Sequence, residues 1–394
     1  MTENDIQNDT YISAEQDQLV DQEAVEITRT IVNSVQLDEE DKEFLKENDD
    51  KEKFDLQLQF DQLLNKKVDM SNSDGGNFEK IETGIDLLDC ISGGGFNVGG
   101  MTMIVGNPGS FKSTLLAQII AHNQKKYDGK MLCVYYDTEA SMSTKRLAQL
   151  GVINPKIKPY DDVTIEQLFQ TIEAMCAFKE AKDITIPSLI CWDSIANTST
   201  LKERGTDDIN TTMGLKQKLL SQLLPRYLPK MKKYKIALLA INQLRDKMNV
   251  GMYGPPSDLQ HMGSFEIPGG KAVKFNSSHI LFLKNKGDLK PEQYEFSGVQ
   301  VEAQFIKNKS FSPFVPSTLL FNFKSGVDNF FTNYRLLADN KKLSTGAWNY
   351  LAAYPEKKFR TKDAKNIYQE DEKFKQVFDE EVKSVLKTQY VDKY

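Results

Sequence analysis

The sequence predicts an α/β protein with a mostly parallel sheet covered by helices on both faces. Three observations predict it. Between residues 101 and 241, short apolar runs that read as strands alternate with longer segments of helical spacing, the order expected of strands joined by crossover helices. The strand-like runs end in glycine or polar residues: Gly106, Asp137-Thr-Glu139, Asp193-Ser194 and Asn242-Gln243. In a parallel sheet such ends line one edge, where ligands bind. The first run also feeds a glycine-bearing loop, Gly106-Asn107-Pro108-Gly109-Ser110-Phe111-Lys112-Ser113, which opens a helix at Thr114.

In chain order, residues 1–50 have no steady apolar period and are rich in Asp, Glu, Gln and Asn, a composition that reads as disordered or loosely helical. Phe54 to Leu64 carries an apolar stripe that fits a strand or a helix face and needs something to pack against. Residues 71–76 form a linker, and the core begins near Ile81. Strands are predicted at 101–105, 130–136, 188–192 and 234–241, and helices at 114–121, 143–150, 165–181 and 212–231. The last helix carries Lys216, Lys218, Arg226 and Lys230 on a basic side. Residues 246–268 form a loop rich in Gly, Pro and Met, long enough to be functional or mobile. The run from Gly269 to Phe275 closes that loop, and further strands are predicted at 278–284 and 300–307. From Val327 the pattern turns helical and highly charged. The expected organisation is therefore an acidic N-terminal arm over 1–76, a core over 77–326 and a small C-terminal domain over 327–394.

The 394 residues, 40% hydrophobic and 27% charged, suffice for one large core and a smaller domain. No apolar run approaches the ~18 residues of a membrane span, and the polar, acidic N-terminus does not read as a signal peptide. Cys90, Cys133, Cys176 and Cys191 are widely spaced, which favours free thiols in a reducing cytoplasm. Three scattered histidines argue against a histidine-based metal site. The net charge of −6 hides an asymmetry: residues 1–75 carry 21 acidic and 7 basic side chains, a balance of −14, and the remainder has a balance of +8. A basic body suggests a polyanionic partner; alternatively the arm only keeps the protein soluble.

The loop between strand and helix has the parts that phosphate binding needs. Backbone N–H groups and the helix N-terminus face the anion. Lys112 can reach the β- and γ-phosphates, and the Ser113 hydroxyl can bind Mg²⁺. Phe111 departs from the usual pattern, which has glycine before the lysine; phenylalanine there needs an allowed backbone or tolerates strain. Asp193, ending a downstream strand, suits a carboxylate that holds the water shell of Mg²⁺, or else caps the next helix. Glu139 can orient and deprotonate an attacking water, or is an ordinary loop glutamate. Gln243 can sense the γ-phosphate, or is a buried amide satisfied by backbone. Lys307 and Lys309, flanking Asn308, can stabilise charge on a transferring phosphoryl group, or form a solvated pair.

These segments, in this order, resemble the RecA-type strand-exchange recombinases over roughly residues 78–350. Glu82 to Asp89 is similar to the family's lead-in segment, and Tyr136 to Ala140 to the segment bearing the catalytic glutamate, which maps to Glu139. Cys191 to Ala196 resembles the Walker B strand, and Ala240 to Arg245 the sensor segment before the second DNA-binding loop, whose end resembles Gly269 to Phe275. Lys307-Asn308-Lys309 with Pro313-Phe314 is similar to the paired lysines that reach ATP across a protomer interface, and Thr345 to Trp348 to a turn of the C-terminal domain. The Phe-Lys-Ser ending of the loop resembles the phage-encoded branch.

The resemblance implies a RecA-like P-loop ATPase core with ATP and Mg²⁺ as cofactors. It places ATP on Gly106 to Thr114 and on Arg146, which aligns with the adenine-stacking position. It places DNA along 203–218 and 245–270, with Met213, Gly214, Lys218, Arg226, Arg245 and Lys247 as contacts. It further implies a helical filament on single-stranded DNA, pairing with double-stranded DNA, a mediator and a single-strand-binding protein as partners, no membrane, and a cytoplasmic location (that of the host if phage-encoded). A replicative helicase of the same core, and a nucleotide-gated loader that does not hydrolyse, stand as alternatives.

Overall fold

The computed structural model describes residues 79–394 apart from 154–158, 161–162, 207–213, 247–264, 290–293, 295 and 394. The N-terminal arm with its apolar stripe, Met213, Lys247 and most of the 246–268 loop lie outside the described residues.

A short antiparallel pair, β1 (Lys80–Ile81) and β2 (Phe96–Asn97), brackets α1 (Asp86–Ser92). Then follow β3 (Met101–Gly106), α2 (Lys112–Lys126), β4 (Cys133–Asp137), α3 (Thr144–Gln149), β5 (Pro159–Tyr160), α4 (Ile165–Ala181) and β6 (Ser188–Asp193). Next come α5 (Leu201–Arg204), α6 (Leu215–Lys233), β7 (Ile236–Gln243), the small pair β8 (Arg245–Asp246) and β9 (Phe265–Glu266), and α7 (Gly270–Asn276). The central sheet is completed by β10 (Ser277–Leu289), β11 (Gly298–Asn308), β12 (Ser317–Asn322) and β13 (Gly326–Val327).

The strand order is β13-β12-β11-β10-β3-β7-β6-β4-β5. From β10 to β5 every pairing is parallel, and from β10 to β13 every pairing is antiparallel. The mostly parallel sheet expected from the sequence is present, with an antiparallel flank where the crossover helices stop.

Alternation along the parallel strands divides the core between two faces. Ile104, Cys191 and Leu239 enter one cluster with α1 and α2. Met103, Trp192 and Leu238 enter the other with α4 and α6. α4 matches its expected limits, because Thr164 and Gln167 form a reciprocal capping box at its start. The run expected only to close the loop at Gly269 to Phe275 is instead a helix, α7. Gly269, at φ 95°, supplies the left-handed turn that starts it.

The C-terminal region is not wholly helical either. After α8 (Asn329–Asp339) comes a three-stranded antiparallel sheet of β14 (Leu343–Ser344), β15 (Asn349–Leu351) and β16 (Tyr354–Phe359), then α9 (Ala364–Glu370) and α10 (Glu372–Leu386). These strands are too short, and β16 too lysine-rich and exposed, to show a period of two. α10 buries Phe374, Phe378 and Val382 in the first cluster, and Phe330 stacks on Phe378. Among the described residues no helix is long and apolar enough to cross a membrane.

Candidate functional site

The parallel pairings set Gly106 beside Gln243, Ile241 beside Asp193, and Asp193 beside Asp137. The ends of β3, β7, β6 and β4 therefore share one edge, and the 106–113 loop rises from its middle.

The loop is shaped by two close constraints. A Cβ on Gly106 would lie 2.4 Å from the Leu283 carbonyl oxygen, so the adjoining strand leaves no room for a side chain. Gly109 has φ 73°, a left-handed backbone that glycine adopts without strain. Asn107, Pro108 and Gly109 are exposed and Ser110 is buried. No side chain caps the N-terminus of α2, so its first-turn N–H groups remain directed at the loop. Phe111 takes the strained alternative anticipated from the sequence: φ 65°, ψ 25°, left-handed.

Lys112 is buried, and its Nζ donates to the carbonyls of Gly106 at 2.9 Å and Asn107 at 3.0 Å. Burial lowers its pKa, and the nearby carboxylates of Asp193 and Glu139 oppose that shift. Ser113 donates to Asp193 Oδ2 at 2.6 Å, and the Tyr135 hydroxyl donates to the same oxygen at 3.1 Å. Burial pushes the Asp193 carboxyl up to about 6; the bond from Ser113 pulls the other way, and Glu139 adds to the rise. Burial next to Asp193 likewise raises the Tyr135 phenol far above its usual value.

Glu139 Oε1 accepts hydrogen bonds from Ser194 Oγ at 2.8 Å and Gln243 Nε2 at 2.6 Å. Thr138 ties the ends of β4 and β6 together through the Asp193 and Ser194 carbonyls. Asn242, beside Gln243, donates to the Pro268 carbonyl at 2.8 Å, just before α7.

The structure thus brings Lys112, Ser113, Glu139, Asp193 and Gln243 together, as the sequence reading expected of strand-end groups. Arg146, expected to stack on adenine by its guanidinium plane, donates from its N–H edge to the Phe323 carbonyl at 2.8 Å and the Lys324 carbonyl at 2.9 Å, holding the β12–β13 turn. Lys307 and Lys309 are not at the loop. Lys307 pairs with Ile280, which pairs with Met103, so β11 runs away from Gly106. Lys307 Nζ donates to the carbonyls of Lys274 and Phe275 at the end of α7. Of the expected DNA contacts, Gly214 starts α6 with φ 78°, Lys218 and Arg226 are exposed on that helix, and Arg245 lies in β8 with its backbone paired to Glu266.

Sequence reasoning missed Tyr135 and Phe323, and placed Ser194 at the ligand edge, next to Asp193 at a strand end, without assigning it a role. Phe323 had no signal: it is 45% exposed, and its ring stacks on Phe111 at 5.9 Å.

The residues present fit a triphosphate with a divalent cation. A buried carboxylate held at 2.6 Å from the Ser113 hydroxyl, its pKa raised by burial, suits a cation beside the loop. Fold and site together define a phosphate-loop α/β protein. The RecA N-terminal domain family matches residues 61–328, and the chain belongs to that family. It is 31% identical to Protein RecA of Thermus aquaticus over 249 residues, 63% of this chain and 68% of that protein. It is 29% identical over 251 residues to a mitochondrial DNA repair protein recA homolog of Dictyostelium discoideum, covering 64% of this chain and about half, 51%, of that one. Among solved structures, that of the RadB recombinase aligns with a TM-score of 0.42 and 20% identity over 63% of this chain and 98% of that one.

Proposed function

We propose that this chain is an ATP-dependent recombinase, of the phage type that resembles UvsX, which assembles on single-stranded DNA and exchanges homologous strands. The observation that carries this reading is the hydrogen bond from Gln243 to Glu139, beside a phosphate loop, in a member of the RecA N-terminal domain family. Gln243 lies immediately before the segment that the resemblance assigns to DNA. A change at the nucleotide therefore has a short covalent route to that segment, and a change there has the same route back.

In this reading Gly106 to Thr114 hold the triphosphate and Lys112 neutralises its terminal oxygens. Ser113 and Asp193 would hold Mg²⁺, which when bound supplies positive charge to the phosphates. Glu139 orients a water and takes its proton. Ser194 and Gln243 fix the carboxylate that does so. Arg146 stacks on the adenine by its guanidinium plane, while its N–H groups hold the β12–β13 turn at the side of the loop. Lys307 and Lys309 serve a neighbour's nucleotide, so a filament completes each site. Lys218, Arg226 and Arg245, with Met213, Gly214 and Lys247, meet DNA phosphates. Mediator and single-strand-binding partners, a cytoplasmic location and the division at 76 and 326 belong to the same reading.

The test is joint-molecule formation between single-stranded DNA and homologous or heterologous duplex, with ATP and Mg²⁺. Homology-dependent pairing is expected; unwinding without pairing would favour the helicase. Lys112→Ala should abolish ATP binding. Glu139→Gln should bind ATP and DNA but turn over on the order of a hundredfold or more slower. Undiminished DNA-stimulated turnover in Glu139→Gln would remove that residue from catalysis.

A further inference from the structure

Phe111 occupies a left-handed backbone position, φ 65° and ψ 25°, where glycine would be free of strain. Its ring is not loose. It lies against Phe321 at a centroid distance of 5.2 Å and stacks on Phe323 at 5.9 Å with 24° between the planes. Phe321 is fully buried in β12. Behind this stack the β12–β13 turn is fastened twice more. Arg146 donates to the carbonyls of residues 323 and 324. Gln118 of α2 accepts from Val327 N and donates to Val327 O. The anchor under the Phe111 ring is therefore tied both to α2, the helix that the loop opens, and to α3.

We infer that Phe111 is a positioning residue for the triphosphate: its ring, seated on Phe321 and Phe323, holds the loop in the phosphate-binding turn before nucleotide arrives. Glycine reaches the same backbone by being free, and must lose that freedom on binding. Phenylalanine carries local strain in the folded state, and ring packing offsets it. This inference rests on the nucleotide-binding reading above.

The two accounts of Phe111 differ in sign. If the ring is incidental, Phe111→Gly relieves strain and binds triphosphate as well or better. If the ring positions the loop, Phe111→Gly loses affinity about three- to tenfold, Phe111→Ala loses more because it keeps the strain without the anchor, and Phe111→Tyr retains affinity. The loss should be equal for ATP and inorganic tripolyphosphate, since the ring acts through the loop backbone. Phe323→Ala, which changes a half-exposed ring outside the loop, should reproduce part of the loss, and Phe111→Gly/Phe323→Ala should be less than additive.

Binding is measured by titration calorimetry with Mg²⁺ on full-length protein whose melting temperature is recorded alongside. Affinity in Phe111→Gly equal to or above the parent overturns the inference, as does a loss confined to ATP, which would place the ring's action on the base. Failure of the parent itself to bind either ligand overturns the nucleotide reading and this inference with it.

Discussion

His279 lies wholly buried between β3 and β11, with Nδ1 3.4 Å from Thr102 Oγ1 and 3.2 Å from Ser278 Oγ, and with the rings of Phe96 and Phe305 on its flanks. Burial, with Lys80 and then Lys309 adding repulsion, lowers its pKa from the usual 6.5 to about 3. The folded state therefore resists a proton that the unfolded chain accepts. Stability from this group is complete above pH 6.5 and is lost as pH falls from 6.5 toward 3. Between pH 7 and pH 5 the expected loss is about 2 kcal/mol. Urea unfolding at pH 7, 6 and 5 measures it, and His279→Gln should flatten the trend; parallel losses in parent and variant would assign the titration elsewhere. Nothing around His279 in the sequence announces this environment. Asp193, Glu139 and Gln243 were legible because each stands at or just past the end of an apolar run, where parallel-sheet geometry leaves one place for it, and Lys112 because it closes the glycine-bearing loop after such a run. Tyr135 was not, because its bond to Asp193 depends on which strand lies beside β4.

Among the elements, a side chain of α2 fastens β13. Gln118 accepts from Val327 N at 2.6 Å and donates to Val327 O at 3.0 Å, standing in for a strand partner at the sheet edge. Gln118→Leu keeps the apolar stem and strands both backbone groups, so a loss of about 2 kcal/mol is expected in denaturant unfolding. Unchanged stability would show that water replaces the amide. This contact spans 209 residues of sequence, and a glutamine on a helix face gives no sign of it. α4, by contrast, was legible to its limits because its start signal is local, Thr164 with Gln167 three residues on. α7 was misjudged because two glycines commonly end structure, and here the first of them starts it.

For the molecule as a whole, the separation of Lys307 and Lys309 from the loop has a consequence for assembly. If the two lysines complete a neighbour's site, hydrolysis requires association. Mixing Lys112→Ala protein with Lys307→Ala/Lys309→Ala protein should then restore part of the DNA-stimulated turnover that neither has alone, since some interfaces recover an intact set. Absence of recovery at every ratio, with co-assembly verified by sedimentation, would mean that each site lies within one chain.

Residue order alone settles the alternation of strands and helices, the phosphate loop and the strand-end groups around it, because periodicity and covalent connection are local and a parallel sheet carries every such end to one edge. The fold in space decides what the order leaves open: the β14–β16 sheet, the bracket of Arg146 on the β12–β13 turn, and the aromatic seat that lets phenylalanine stand in a left-handed loop. Each of these depends on partners brought together by packing, such as Phe111 with Phe321 and Phe323, and a contact between distant segments leaves no period in either of them.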